Sequence, residues 1–185
     1  MNVVEAIEAR RAVRSFTARK IDDAAIRTLL RAAVQAPSAM NRQPWTFAIV
    51  QDPGTLRRYS DRAKEMLRTR TDPTASHYAE LLGGPAFNIF YDAGTLVVIG
   101  VEEASTYAEA DAWLAAENLL LAATDMGIGS CCIGFAVPVL NTEEVKAELG
   151  IGPKGAAIAP IILGYPSVVA PPVPRADPKI VAWLR

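Results

Sequence analysis

Ala36-Pro37-Ser38-Ala39-Met40-Asn41-Arg42-Gln43-Pro44-Trp45 is the stretch on which the reading of this chain turns. Before it, Asp22 is a plausible N-cap for a helix over 23–35, with Ile26, Leu29, Leu30, Ala33 and Val34 at helical spacing. Pro37 stops that helix, because its ring removes a donor and blocks the next turn. After it, Trp45 to Val50 (Trp-Thr-Phe-Ala-Ile-Val) reads as a buried strand. The connection is polar at Ser38, Asn41 and Gln43, too specific for punctuation and too short for a linker. Upstream stands a second polar concentration, Arg10-Arg11-Ala12-Val13-Arg14, with Arg19 and Lys20 close behind.

The whole chain bounds what these segments can be. Its 185 residues suit one domain, 1–185. A chain of that length buries roughly two thirds of its unfolded surface and needs no disulfide or metal staple. A 51% hydrophobic fraction argues for a filled core or a large subunit interface rather than disorder. The formal net charge of −1 gives no basic field for nucleic acid, so the arginines suit a local anion instead. The only cysteines, Cys131 and Cys132, are adjacent and cannot frame a zinc site or a disulfide scaffold. They predict small inert apolar side chains and a reduced, cytoplasmic protein. Glu5 and Glu8 interrupt any signal-peptide pattern, and no apolar run reaches the roughly 18 residues of a membrane span.

Further elements follow by pattern. Residues 3–10 form a short amphipathic helix ending in the arginines, and Arg14 to Phe16 a possible short strand. Asp52-Pro53 starts a helix running to about Leu67. Residues 68–93 are irregular and hold the one histidine, His77. Gly94 to Val101 is an apolar strand, and Tyr107 to Met126 the longest helix, almost all Ala and Leu after Asp111. A helix apolar on most sides belongs in a core or a subunit interface. Ser130 to Gly134 begins a strand, Asn141 with Glu144 forms a capping-box start to a helix ending at Gly150, and Ala157 to Tyr165 is the last strand. The tail, with Pro166, Pro171, Pro172, Pro174 and Pro178, is expected to be extended. Helices and strands mix without regular alternation, which favours α+β over a doubly wound sheet.

The arginines have a bland explanation, since cations at a helix C-terminus offset its dipole. That covers one arginine more easily than three, which repel unless an anion sits among them; guanidinium forks bind phosphate oxygens in pairs. Ser38 and Asn41 have a bland explanation too, in turns that bond their own backbone. The glycines of Gly127 to Gly134 match neither the dinucleotide fingerprint nor a P-loop, where Phe135 stands in place of the lysine. His77 has no Ser or Cys motif nearby to make a triad, and reads as a surface residue. Phe87, Phe90 and Tyr91 read as core packing, Glu65 and Glu80 as solvated helix faces, and Asn88 as a weak cofactor candidate.

Taken jointly, the spacing from Arg10 to Ser38, Asn41, Gln43, Pro44 and Trp45 resembles the signature of the nitroreductase family. The family's Arg-Arg-Ser stretch becomes Arg10-Arg11-Ala12, which removes one expected phosphate contact. Ile128 to Gly134, Ile-Gly-Ser-Cys-Cys-Ile-Gly, resembles the family segment Gly-Leu-Gly-Ser-Cys-Trp-Ile-Gly, with Cys132 in place of Trp. Leu163-Gly164-Tyr165-Pro166 followed by Pro174-Arg175 resembles the C-terminal signature, with Ala176 in place of a lysine.

The resemblance implies a central, mostly antiparallel sheet flanked by helices, in an intertwined homodimer joined through the helix near 107–126, with the tail 166–185 wrapping the partner. It implies FMN as cofactor, with Arg10, Arg11, Ala12, Arg14, Arg175 and the Ile133-Gly134 backbone from one subunit and Pro37, Ser38, Ala39 and Asn41 from the other. It implies hydride transfer from NADH or NADPH through flavin N5 to a small electron-poor acceptor such as a nitroaromatic or a quinone. Arg14 would offset the charge of the reduced ring, and no side chain need act as acid or base. Flavin fragmentation or reductive dehalogenation on the same fold, and a non-catalytic flavin- or phosphate-binding module, are the alternatives.

Overall fold

The computed structural model describes residues 1–68, 84 and 86–185. His77 and Glu80, with most of the irregular 68–93 segment, lie outside the described residues. The elements in chain order among the described residues are α1 (Val3–Ala9), α2 (Asp23–Ala33), a 3-10 turn (Ala39–Asn41), β1 (Trp45–Val50), α3 (Pro53–Arg68), β2 (Thr95–Val101), α4 (Thr106–Asp125), β3 (Gly129–Cys132), a second 3-10 turn (Gly134–Ala136), α5 (Val137–Leu140), α6 (Glu143–Glu148) and β4 (Ala156–Gly164).

The strands form one sheet in the order β1-β2-β4-β3, with every neighbouring pair antiparallel. This is the α+β arrangement expected from the irregular mix of elements. Both central strands are apolar runs because both of their faces are covered. Val97, Ile99 and Val101 of β2, with Ala159, Ile161 and Leu163 of β4, face a core shared with α2 and α4. Leu96 and Val98, with Ala157 and Ile162, face a second core built from α3, Ile89, Phe90 and the α5–α6 region. Leu29 of α2 and Leu119 of α4 are fully buried, each worth roughly 1.5–3 kcal/mol of transfer free energy.

The helices start where the chemistry of their caps allows. The Asp22 side chain accepts the Ala25 N–H at 2.8 Å, as the sequence predicts. The Ser105 side chain does the same for α4, accepting from Ala108 N–H at 3.2 Å. Along α4, Ala108, Ala112, Ala115, Ala116 and Ala123 are buried. Their small side chains let the helix lie close to the sheet.

Two local expectations are corrected. Residues 14–16 are not a strand: Ala12 bridges Ser130 in parallel, whereas Phe16 bridges Pro166 antiparallel. The segment changes partners midway, so no continuous ladder forms. Asn141 does not cap a helix through Glu144 either. Its amide donates to the carbonyls of Val137 and Ala157, and its Oδ1 accepts from Ala157 N–H, all at 2.9–3.0 Å. Those bonds tie α5 to the start of β4 and leave α6 to begin after Thr142, without a side-chain cap. Residues 167–185 carry no helix or strand and are mostly exposed, as the prolines predict.

Candidate cofactor site

The arginine segment runs along the open edge of β3. Val13 N–H donates to Ser130 O at 2.9 Å, and Thr17 N–H to Tyr165 O at 2.8 Å. Two glycines, paired across β3 and β4, permit this approach. A Cβ on Gly129 would lie 2.8 Å from Val13 Cγ1, and one on Gly164 would lie 2.7 Å from Phe16 Cδ1. The strand-edge glycines therefore serve close passage of the residues that carry Arg10, Arg11 and Arg14.

Each arginine has a different setting. The Arg11 guanidinium donates to the carbonyls of Glu8 and Arg10, closing the end of α1. Arg10 is partly buried, with Nε 3.9 Å from a Glu117 carboxylate oxygen, the outer limit of an ion pair. Arg14 lies with its guanidinium carbon 5.8 Å from the Tyr91 ring centroid. It also stands beside Cys131, whose thiol is pushed up by burial while the Arg14 charge opposes the rise. Burial, then the neighbouring Cys131 and Glu117, push the Cys132 thiol up to about 11, although part of that residue reaches the surface. Both cysteines are thus protonated at neutral pH, in keeping with their reading as inert groups.

Immediately after β3, Ile133 is buried and its N–H donates to Pro160 O at 2.8 Å. Gly134 is exposed, and a Cβ on it would meet nothing within 4 Å. The bridge from Ala12 to Ser130 thus brings the arginines and the Ile133-Gly134 backbone to one edge of the sheet. Arg175 lies in the exposed tail and makes no ion pair among the described residues.

The Pro37–Asn41 loop is elsewhere. It leads into Trp45, which pairs with Val101, whereas Ser130 pairs with Leu163 and so aligns with Thr95. Thr95 and Val101 are six residues apart along β2, about 20 Å of strand. The structure therefore brings Arg10, Arg11, Ala12, Arg14, Ile133 and Gly134 together and places Pro37, Ser38, Ala39 and Asn41 at the far end of the sheet.

That loop is tightly built. Ser38 Oγ accepts from Gln43 N–H at 2.9 Å, and the Gln43 amide donates to Asn41 Oδ1 at 3.1 Å. Met40, Asn41 and Gln43 all have positive φ, near 50°. Non-glycine residues there cost roughly 1–2 kcal/mol each, so something must hold them. Asp111 of α4 does so: its buried carboxylate accepts from Ala39 N–H, with oxygens at 3.1 and 3.2 Å. Asp111 escaped the sequence reading: it is one of four acids in α4, and burial alone sets it apart. A cavity of about 880 Å³ opens between this loop and the start of α4, lined by Ala39, Met40, Arg42, Tyr107 and Asp111 among others. Among the described residues no helix is long and apolar enough to cross a membrane, and no His/Cys/Asp/Glu cluster could hold a metal.

Comparison with known proteins agrees with this architecture. Residues 7–165 match the family model described as the nitroreductase family. The chain is 30% identical to an iodotyrosine deiodinase of Thermotoga neapolitana over 91% of this chain and 90% of that protein. It is 27% identical to an NADH dehydrogenase of Thermus thermophilus, over 94% and 92% of the two chains. A Bacteroides fragilis nitroreductase solved with bound FMN superposes with a TM-score of 0.85 at 28% identity, covering 99% of this chain and 100% of that one. With most of its length matched by the family model, and the same fold in a solved relative, this chain belongs to the nitroreductase family.

Proposed function

We propose that the chain is an FMN-dependent NAD(P)H oxidoreductase working as a homodimer with composite cofactor sites. The observation that carries this reading is the separation of the two halves of the site. Ser130, which the arginine segment bridges, and Trp45, into which the Pro37–Asn41 loop leads, are about 20 Å apart along the strand direction. A second copy related by two-fold symmetry can bring the loop of one chain to the arginine edge of the other.

The residues fit the group. FMN asks for cations at its phosphate and for uncrowded backbone beside its ring. Among the described residues Arg10 has only one distant carboxylate and Arg14 has no ion pair, and the space beside Gly134 is open. Arg10 and Arg175 would take the phosphate, with less help from Arg11, which is engaged with backbone carbonyls. Ile133 and Gly134 would present backbone to the ring, while Pro37, Ser38, Ala39 and Asn41 would come from the partner. When bound, FMN supplies the hydride chemistry that a chain with a single histidine need not provide through its own side chains. Arg14 supplies a fixed positive charge where negative charge collects on reduction, an electrostatic contribution of the oxyanion-hole kind.

The acceptor would be a small electron-poor molecule such as a nitroaromatic or a quinone. The 30% identity to an iodotyrosine deiodinase favours a second reading, reductive dehalogenation at the same site. An absorbance spectrum of the purified protein, repeated after anaerobic NADH or NADPH, tests both. A yellow protein that bleaches with either nucleotide and recolours with a quinone supports the first reading. A yellow protein that turns over only iodotyrosine supports the second. A colourless protein that takes up no FMN overturns both.

A further inference from the structure

Among the described residues, positive φ at non-glycine positions occurs in two places only, Met40–Gln43 and Tyr91–Asp92. The first belongs to the cofactor loop. The second has no part in the site described so far, yet strained backbone persists only where its surroundings hold it, and it gathers at functional sites. What holds it is visible. Asn88 is 8% exposed, and its Oδ1 accepts from Phe90 N–H at 2.9 Å while its Nδ2 donates to an Asp92 carboxylate oxygen at 2.8 Å. The Asn88 carbonyl accepts from Tyr91 N–H at 2.8 Å. Three bonds from one buried residue thus fix two successive left-handed residues.

The product of that turn is the direction of the Tyr91 ring. Phe87 braces it edge-to-face, with centroids 5.6 Å apart and planes at 87°. The guanidinium carbon of Arg14 lies 5.8 Å from its centroid. Arg14 has no carboxylate partner among the described residues, and its head group is met by the Cys131 thiol and by the aromatic face of Tyr91. Tyr91, like Phe16 and Phe135, packs against the core that contains Ile133.

We propose that Tyr91, set by the Asn88–Asp92 turn, is a positioning residue that holds the Arg14 guanidinium in place and thereby favours reduction of the bound flavin. This rests on the reading of Arg14 given above. The test is the two-electron midpoint potential of bound FMN, with FMN titration of the apoprotein alongside. Tyr91→Leu is expected to weaken the preference for reduced over oxidised flavin about tenfold, read as a potential about 30 mV more negative. Affinity for oxidised FMN should stay within about threefold. Tyr91→Phe, which keeps the ring face, should retain the wild-type potential. In an Arg14→Ala background, Tyr91→Leu should add no further shift.

An unchanged potential in Tyr91→Leu, a Tyr91→Phe shift as large as that of Leu, or additive shifts in the double variant would each overturn the inference while leaving the cofactor reading intact. Should Tyr91→Leu not fold, Tyr91→Met, similar in bulk but without a ring, carries the same expectation and the same refutation. A wild-type protein that binds no FMN overturns this inference together with the reading beneath it.

Discussion

Asp111 is a carboxylate buried on an alanine-rich helix, and its visible work is to accept one backbone N–H, that of Ala39. Burying such a group without a partner is costly, so the contact and the strained loop it holds depend on each other. Asp111→Leu leaves the Ala39 N–H without its acceptor and should destabilise the protein by about 1–3 kcal/mol. It should also weaken FMN binding about tenfold, because Ser38, Ala39 and Asn41 lose their shape. Asp111→Asn keeps an oxygen acceptor and should stay close to wild type in both assays. A thermal melt with FMN titration checks this, and a Leu variant that binds FMN normally would sink it. Neither Asp111 nor Tyr91 was legible as a site residue in the sequence. Each acts by contact with a segment distant in the chain, and neither contact has a local spacing to betray it.

At the scale of elements, the arginine segment depends on the glycines it passes. Gly164→Ala would place a methyl 2.7 Å from the Phe16 ring. Overpacking of this kind costs typically about 1–3 kcal/mol, and a chain of this size loses roughly 2–4 °C of Tm for each kcal/mol. The same substitution should weaken FMN binding, because Arg14 lies two residues before Phe16. Gly134→Ala adds its methyl to open space and should leave the melt within about 0.5 kcal/mol of wild type. Equal melting losses for the two variants would contradict this account. Most elements were legible, because apolar periodicity and end signals agree at Asp22, Pro37, Pro53 and Gly127. The misreadings came where residues were taken from their local role by tertiary partners: Asn141 by β4, and residues 12–16 by β3 at one end and by Pro166, beyond β4, at the other.

At the scale of the molecule, the single chain leaves much apolar surface uncovered. Val3, Val4 and Ile7 of α1 are 53–70% exposed, and Trp113 and Leu114 of α4 are 43% and 46% exposed. The two helices pack on each other. Apolar area of that extent marks an interaction surface. Sedimentation equilibrium is expected to give twice the 19.8 kDa chain mass. Trp113→Glu should weaken the dimer, and FMN should be lost in parallel because each proposed site needs both chains. A Trp113→Glu monomer that keeps its flavin would refute the two-chain site.

The sequence by itself determined the α+β class, the four strands and the principal helices, because these rest on periodicity, caps and breakers that act within a few residues. It also carried the nitroreductase resemblance in three separated motifs. Only the tertiary structure decided that the arginines and Ile133-Gly134 share an edge while Pro37–Asn41 lies at the opposite end, that Asp111 braces the loop, and that Tyr91 faces Arg14. Those relations are set by strand register and by which faces of the sheet the helices cover, and no local pattern encodes a distance between residues remote in the chain.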